Sequence, residues 1–346
     1  MEQVVIESQA NPLIKPEAKT ESQPLVNILI PTYNRANYLR ETIQSVLAQT
    51  YKNIEILVFD DASPDNTSEV VAQFSHEPRV VYVRHPQNLG MAENWKASIA
   101  AATGEFFCLL NDDDTLEPEF VESLAQPLID NENLILAFCQ YWIMNAQGVR
   151  LKEATDKNIH RWKLDTLAAK DVQNVAHSIV VDRSPYIGAS LFRKSLVSAD
   201  FIDERSKGFA DAWLFYQCAK TGFGAYYVRK QLMNYREHGE GMSRTGIWRQ
   251  YMTEGNLYWY QQMLNDSAVS NIHAAIQADM PSVLTVHGLA LLASGKHNEA
   301  RTALEKAWQM KRSNKTLIAY GLASLGPLGT KTFLTLKQLR DMLSKT

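Results

Sequence analysis

The sequence predicts an α/β fold, a doubly wound domain followed by an all-helical extension, on three observations. Short apolar runs alternate with helix-spaced apolar positions through the first 130 residues. Two of those runs stop on clustered acid, Asp60-Asp61 and Asp112-Asp113-Asp114. Beyond residue 245 the alternation gives way to helical periodicity alone. Strands and helices in alternation imply parallel strands joined by right-handed crossovers. The carboxyl ends of such strands face one way, and open α/β sheets bind ligands there. Acids far apart in the chain are therefore expected at one cleft.

Residues 1–24 are polar and contain Pro12, Pro16 and Pro24, which predicts a mobile N-terminal tail. Val26 to Ile30 reads as a first strand ended by Pro31, followed by a helix carrying Leu39, Ile43, Val46 and Leu47 and capped by Asn34 or Asn37. Ile54 to Phe59 is the second strand, with a turn at Ser63-Pro64-Asp65-Asn66 and a helix over 67–74. Val80 to Val83 is the third, and a helix near 91–102 leads into Phe106 to Leu110. That fourth run has the length and flanks of a strand buried on both faces, and Pro118 suits the first turn of a following helix. Three adjacent carboxylates at its end admit two readings: a solvated acidic turn capping that helix, or a cluster held by a hard divalent cation that also binds phosphate oxygens.

Later elements are less regular. A strand is expected over Leu134 to Met144 with a turn at Asn145-Ala146-Gln147-Gly148. The stretch from Lys152 to Asn174 is polar and weakly patterned. Pro185 to Arg193 reads as a small-residue strand, Ala210 to Phe215 as a helix start, and Val228 to Tyr235 as another strand. From 246 on, helices are expected near 247–264 and 314–344. They flank a hairpin in which Gly288, Gly295, Ala300, Leu304 and Ala307 have the spacings of one tetratricopeptide-like repeat near 281–314. An unrelated helical hairpin with small residues at its crossing fits the same pattern.

Composition narrows the function classes. At 346 residues the chain is longer than one average domain, and 45% hydrophobic with 21% charged residues is ordinary globular composition. A net charge of −3 gives no electrostatic basis for nucleic-acid binding. Cys108, Cys139 and Cys218 are odd in number, widely spaced and in apolar surroundings, which suits reduced core thiols rather than a disulfide framework or zinc site. With no basic-then-apolar leader and no apolar run of about 18 residues, the expectation is a cytoplasmic protein, with contact at the inner face of the membrane left open.

Six motifs in order, Pro31-Thr32-Tyr33-Asn34-Arg35, Leu47-Ala48-Gln49-Thr50-Tyr51, Asp60 to Thr67, Asn88-Leu89-Gly90, Ala102-Thr103-Gly104-Glu105 and Asn111 to Asp114, resemble the successive signatures of family 2 glycosyltransferases. The resemblance covers about residues 26–245. It implies the GT-A fold and inverting transfer from a nucleotide-diphosphate sugar, most often a UDP-sugar. It divides the chain into a GT-A domain over 25–245, with a nucleotide-binding half at 25–130 and an acceptor half at 131–245, and the helical extension at 246–346. Carried over residue by residue, it implies that Pro31 and Tyr33 pack the base, Asp61 reads its edge, and Arg35, Asn94 and Asp112 complete the nucleotide-sugar site. Asp113 is the metal ligand, for Mn²⁺ or Mg²⁺. Arg236 in the Tyr-Arg-x-His segment holds the diphosphate, with His238 completing the metal site, and Asp211 is the base that deprotonates the acceptor hydroxyl. Two positions depart from the pattern: Asn111 stands where many members have Asp, and Ala210 where the acidic pair before the helix begins.

The leading expectation is a metal-dependent sugar transferase acting on a hydroxyl of a glycan or lipid-linked acceptor, in polysaccharide or cell-surface glycan synthesis. The helical extension would serve a protein partner, a second copy or a membrane face. A sugar-phosphate nucleotidylyltransferase is disfavoured, since no Gly-rich basic loop follows the first strand. The rival from another class is a catalytically degenerate scaffold that displays its C-terminal helices, for which Asn111 and Ala210 are the supporting departures.

Overall fold

In the computed structural model residues 23–172, 175–238 and 246–343 are described. The expected N-terminal tail up to residue 22, and Gly239 to Arg244 of the segment after His238, lie outside them. A mixed nine-stranded sheet organises the first two-thirds of the chain. Its parallel part consists of β1 (Val26–Thr32), β2 (Ile54–Asp60), β3 (Val80–Arg84) and β4 (Phe106–Leu109), ordered β3-β2-β1-β4. The intervening helices are α1 (Ala36–Leu47), α2 (Thr67–Ala72) and α3 (Met91–Ala101). Every residue of β1 and β4 is buried, as near-continuous apolar runs between two layers require.

Pro31 does not end β1. The strand runs on to Thr32, with Pro31 opposite Phe59 of β2. The Leu29 carbonyl accepts from Leu110 N–H on the β4 side, and the position two residues on faces the same way. Pairing of β1 with β4 stops at Leu29–Leu109, so the missing N–H of Pro31 leaves no ladder bond unmade. The α1 cap is also different from either Asn: Ala36 N–H donates to Asp65 Oδ2 at 3.0 Å, a carboxylate delivered from the turn after β2.

Past β4 the chain forms the short β5 (Thr115–Leu116), then α4 (Phe120–Asp130). It continues with β6 (Leu134–Asn145), α5 (Lys152–Arg161), β7 (Lys170–Asp171) and β8 (Ser190–Arg193), then α6 (Ala210–Lys220) and β9 (Gly224–Glu237). β8 is antiparallel to both β4 and β6, and the twelve-residue β6 runs parallel to β9. β9 then pairs with β5, which brings its C-terminal end across the acidic turn after β4.

Five helices complete the chain: α7 (Gly246–Leu264), α8 (His273–Ala293), α9 (His297–Met310), α10 (Asn314–Ser324) and α11 (Gly326–Leu343). α8 and α9 form the expected hairpin, with Gly295 at φ 77° in the turn. A Cβ on Gly288 would lie 2.5 Å from Leu304 Cγ, so the two helices approach at a contact only glycine allows. The stretch Ser267–Ala293 is long and apolar enough, by length and composition, to cross a membrane, but 56% of that window is buried within the fold. It is the central helix of this layer.

The helical layer is not hung on a tether. Trp259, Tyr260, Met263, Val269 and Ile272 share one apolar core with Trp213, Leu214 and Tyr216 of α6. Tyr216 and Lys220 both bind Asp266. A Cβ on Gly255 would meet the Ser206 carbonyl oxygen at 2.0 Å, which shows how closely α7 presses on the segment that enters α6.

Candidate active site

Between β4 and β5 the chain makes a turn whose three carboxylates are all buried. It is not a solvated helix cap. α4 begins only at Phe120, after β5, and Glu119 at its N-cap makes no side-chain cap bond. The turn is fixed from below by Thr42 of α1, whose hydroxyl lies 2.9 and 2.8 Å from the carbonyl oxygens of Asp112 and Asp114.

Each carboxylate has its own partners. Arg35, at the start of α1, lies 3.2 Å from Asp112 Oδ1 and bonds Asp113 Oδ2 more closely. Burial pushes the Asp112 carboxyl up to about 6, with Arg35 opposing that rise and Asp113 adding to it. Burial acts against the Arg35 charge, but the two carboxylates outweigh it and hold the guanidinium protonated. Asp113 Oδ2 also lies 2.9 Å from His238 Nε2, just beyond β9. The other ring nitrogen, Nδ1, is buried without a hydrogen-bond partner among the described residues. Asp114, with no exposed surface, accepts from Arg236 N–H at 2.9 Å, Tyr186 hydroxyl at 3.0 Å and Asn111 Nδ2 at 3.2 Å. Its carboxyl is raised well above the usual range, first by burial and then by Asp113.

These contacts explain the departure at Asn111. Its amide donates to Asp114 and to Tyr186, whose hydroxyl passes its own proton toward Asp114. A carboxylate there would set a further negative charge against Asp114 and lose both donors. Ala210 also has a structural reason. It is fully buried in the core beneath α6, where an acidic side chain would have to enter apolar surroundings.

Arg236 is buried and fully engaged. Its Nε donates to the Asp113 carbonyl at 2.8 Å and its Nη1 to the Ala146 carbonyl at 3.1 Å, while Nη2 pairs with Glu41 and the guanidinium stacks over Tyr38. Opposite, Asp211 sits in the first turn of α6. Burial raises its carboxyl above the ordinary value, against the lowering effect of the backbone N–H of Ala212 and the charge of Arg183.

A cavity of about 280 Å³ joins the two sides, lined among others by Arg35, Asp113, Asp211, Arg236 and His238, with Trp95 and Tyr186. Five of the expected site residues thus meet in one place. The others are not among its lining residues. Asp112 is one position away and tied to Arg35. Tyr33 is 47% exposed at the end of β1, next to Pro31. Asp61 is buried and accepts from Leu89 N–H at 2.6 Å and Gly90 N–H at 2.9 Å. Asn94 is buried too, donating to the Phe59 carbonyl at 3.1 Å and contacting His85 at the same distance. Sequence reasoning passed over Tyr186 and Glu41, and placed Asp114 in the acidic cluster without a role of its own. Only the small-residue run after Pro185 hinted at the first.

Among the described residues no cluster of three His, Cys, Asp or Glu side chains gathers as metal ligands. Asp113 and His238 nevertheless place a carboxylate oxygen and an imidazole nitrogen side by side. That suits a cation which keeps its remaining positions for water and substrate oxygens.

A parallel β3-β2-β1-β4 sheet with acids at the carboxyl end, continued through the antiparallel β8 to β6 and β9, is the arrangement of a GT-A transferase fold. Residues 27–186 match glycosyl transferase family 2. An uncharacterized glycosyltransferase of Rickettsia typhi is 31% identical over 227 residues, 65% of this chain and 67% of that protein. The chain belongs to family 2 of the glycosyltransferases. Among solved structures, Staphylococcus aureus TarS 1–349 in complex with UDP-GlcNAc aligns over 92% of both chains with a TM-score of 0.61 and 16% identity. The mannosyltransferase PcManGT of Pyrobaculum calidifontis with GDP-Man and Mn²⁺ covers 91% of this chain and 88% of its own, at a TM-score of 0.55 and 16% identity. At such identity these likenesses speak for the fold.

Proposed function

We propose that this protein transfers a sugar, with inversion, from a nucleotide-diphosphate donor to a hydroxyl of a glycan or lipid-linked acceptor. The observation that carries this reading is that Asp113, His238, Arg35 and Asp211 all line one cavity. A UDP-sugar is the favoured donor, by likeness to TarS, which holds UDP-GlcNAc on the same fold. Mn²⁺ or Mg²⁺ would be held by Asp113 and His238, and when bound it would offset charge on the departing diphosphate. Pro31, Tyr33 and Asp61, at the ends of β1 and β2, form the base end of the donor site. Arg35 meets the diphosphate after exchanging its carboxylate partners for phosphate. Arg236, held by four acceptors, positions the Asp113–Asp114 turn. Asp211 takes the proton from the acceptor hydroxyl, and its raised proton affinity brings it nearer to a working base than a solvated carboxylate.

The test is donor hydrolysis and transfer across a panel of UDP-, GDP- and dTDP-sugars with and without Mn²⁺, read by mass spectrometry. One donor should be consumed preferentially and in a metal-dependent way. No turnover of any donor, with the protein folded, would favour the scaffold reading.

A further inference from the structure

We propose that the last helical hairpin, α10 and α11, docks this protein on an anionic membrane surface through an apolar face set among basic residues. Charge is segregated there. Between Glu305 in α9 and Asp341 in the last turn of α11, residues 306–340 contain seven Lys or Arg and no Asp or Glu. The remainder of the chain keeps 28 of its 35 basic residues against all 38 acidic ones, a net −10. A basic stretch on an otherwise acidic protein marks a surface for a negatively charged partner.

The same hairpin is apolar on the outside. Four of the five most exposed large apolar side chains among the described residues are Leu328, Ile318, Leu325 and Leu336, at 55–65% exposure. α10 is built with small or short side chains inward: Thr316, Ala319 and Ala323 are its buried positions. Ile318, Gly321 and Leu325 recur at helical spacing on the outer face, and a Cβ on Gly321 would meet nothing within 4 Å. Leu325 and Leu328 flank the turn at Gly326, and Leu336 continues the apolar surface along α11. Lys311, Arg312, Lys315 and Lys331 are exposed around it.

This arrangement selects among occupants. Two copies meeting through this face would bring like charges together. A nucleic acid would use the cations but leave the leucines and isoleucine in water. A headgroup layer takes both: the apolar side chains enter the acyl boundary while Lys and Arg stems reach to anionic headgroups. Sugar transfer to a lipid-linked acceptor would gain from such docking, and no residue of this surface lines the active-site cavity.

The test is co-sedimentation of the full chain with phosphatidylcholine vesicles, pure or with phosphatidylglycerol as about a third of the lipid. Binding should be at least about tenfold tighter to the anionic vesicles and weaken with added salt. The Ile318→Glu/Leu325→Glu/Leu328→Glu variant should lose about tenfold in affinity, with its circular dichroism unchanged. Should that variant fail to fold, Lys311→Glu/Lys315→Glu supplies the same comparison through charge alone. Equal binding to both vesicles, binding to neither, or wild-type binding by the folded variants would overturn the proposal. So would a concentration-dependent dimer in sedimentation that the Glu substitutions dissolve, which would make the face a contact between copies.

Discussion

Two carboxylate regions contribute to the cavity, the turn after β4 and the start of α6, and they are built in opposite ways. Asp112, Asp113 and Asp114 are met by guanidinium, imidazole, hydroxyl and amide groups drawn from α1, β9 and the segment before β8. Asp211 is met by the backbone at the start of α6 and by the more distant charge of Arg183. A carboxylate with strong fixed partners holds charge in place. One supported mainly by a helix N-terminus can accept a proton without leaving a cation unpaired. The same residue type serves as anchor in the turn after β4 and as candidate base at the start of α6.

The comparison is broken most severely at its anchor. Asp113→Ala should remove metal-dependent UDP binding and reduce transfer below detection, while leaving the protein folded, since the loss also relieves crowding with Asp112 and Asp114. Calorimetry of UDP with and without Mn²⁺ reads this, and unchanged metal dependence would remove Asp113 from the metal site.

Arg236→Met is the largest stability change expected. It leaves the Asp113 and Ala146 carbonyls without their buried donor, at a cost of about 1–3 kcal/mol for each acceptor left unsatisfied, while the exposed Glu41 adds little. Urea denaturation measures it, and a loss under about 1 kcal/mol would mean that the guanidinium is dispensable for the turn.

A smaller effect is expected on the Asp211 side. Lys207, at φ 51° in the segment pressed by α7, pairs with Glu254. Both are partly exposed, so Glu254→Gln should cost no more than about 1 kcal/mol. If it instead lowered transfer strongly with stability kept, the α7 contact would be positioning the entry to α6.

Much of this architecture could be read in the sequence, for a physical reason. Strands buried on both faces must be largely apolar: β4 is so throughout, and β1 and β2 are apart from Asn27, Thr32, Glu55 and Asp60. The acids after them had no apolar function, so they stood out. What could not be read depends on tertiary partners. Pro31 sits within β1 because β4 has already ended beside it. The α1 cap comes from Asp65, roughly a turn and a strand away in the fold, and no local pattern announces it. Asn111 and Ala210 looked like losses until their surroundings, Asp114 and the α6 core, gave each a role.

Asp211 carries the central claim, and one variant decides it. A half-buried carboxyl with raised proton affinity contributes stability below its unfolded value, near 4, and that contribution is lost as pH rises through its higher folded value. At neutral pH Asp211→Asn should therefore melt no lower than wild type, and UDP affinity with its metal dependence should persist. Wild-type transfer should lose its acid limb at a pH above that of an ordinary carboxylate. The transfer rate of Asp211→Asn, measured on the same samples, should fall by a factor on the order of 10² to 10⁴. Near-normal transfer by this variant would contradict the account, because the proton of the acceptor hydroxyl would then leave by another route.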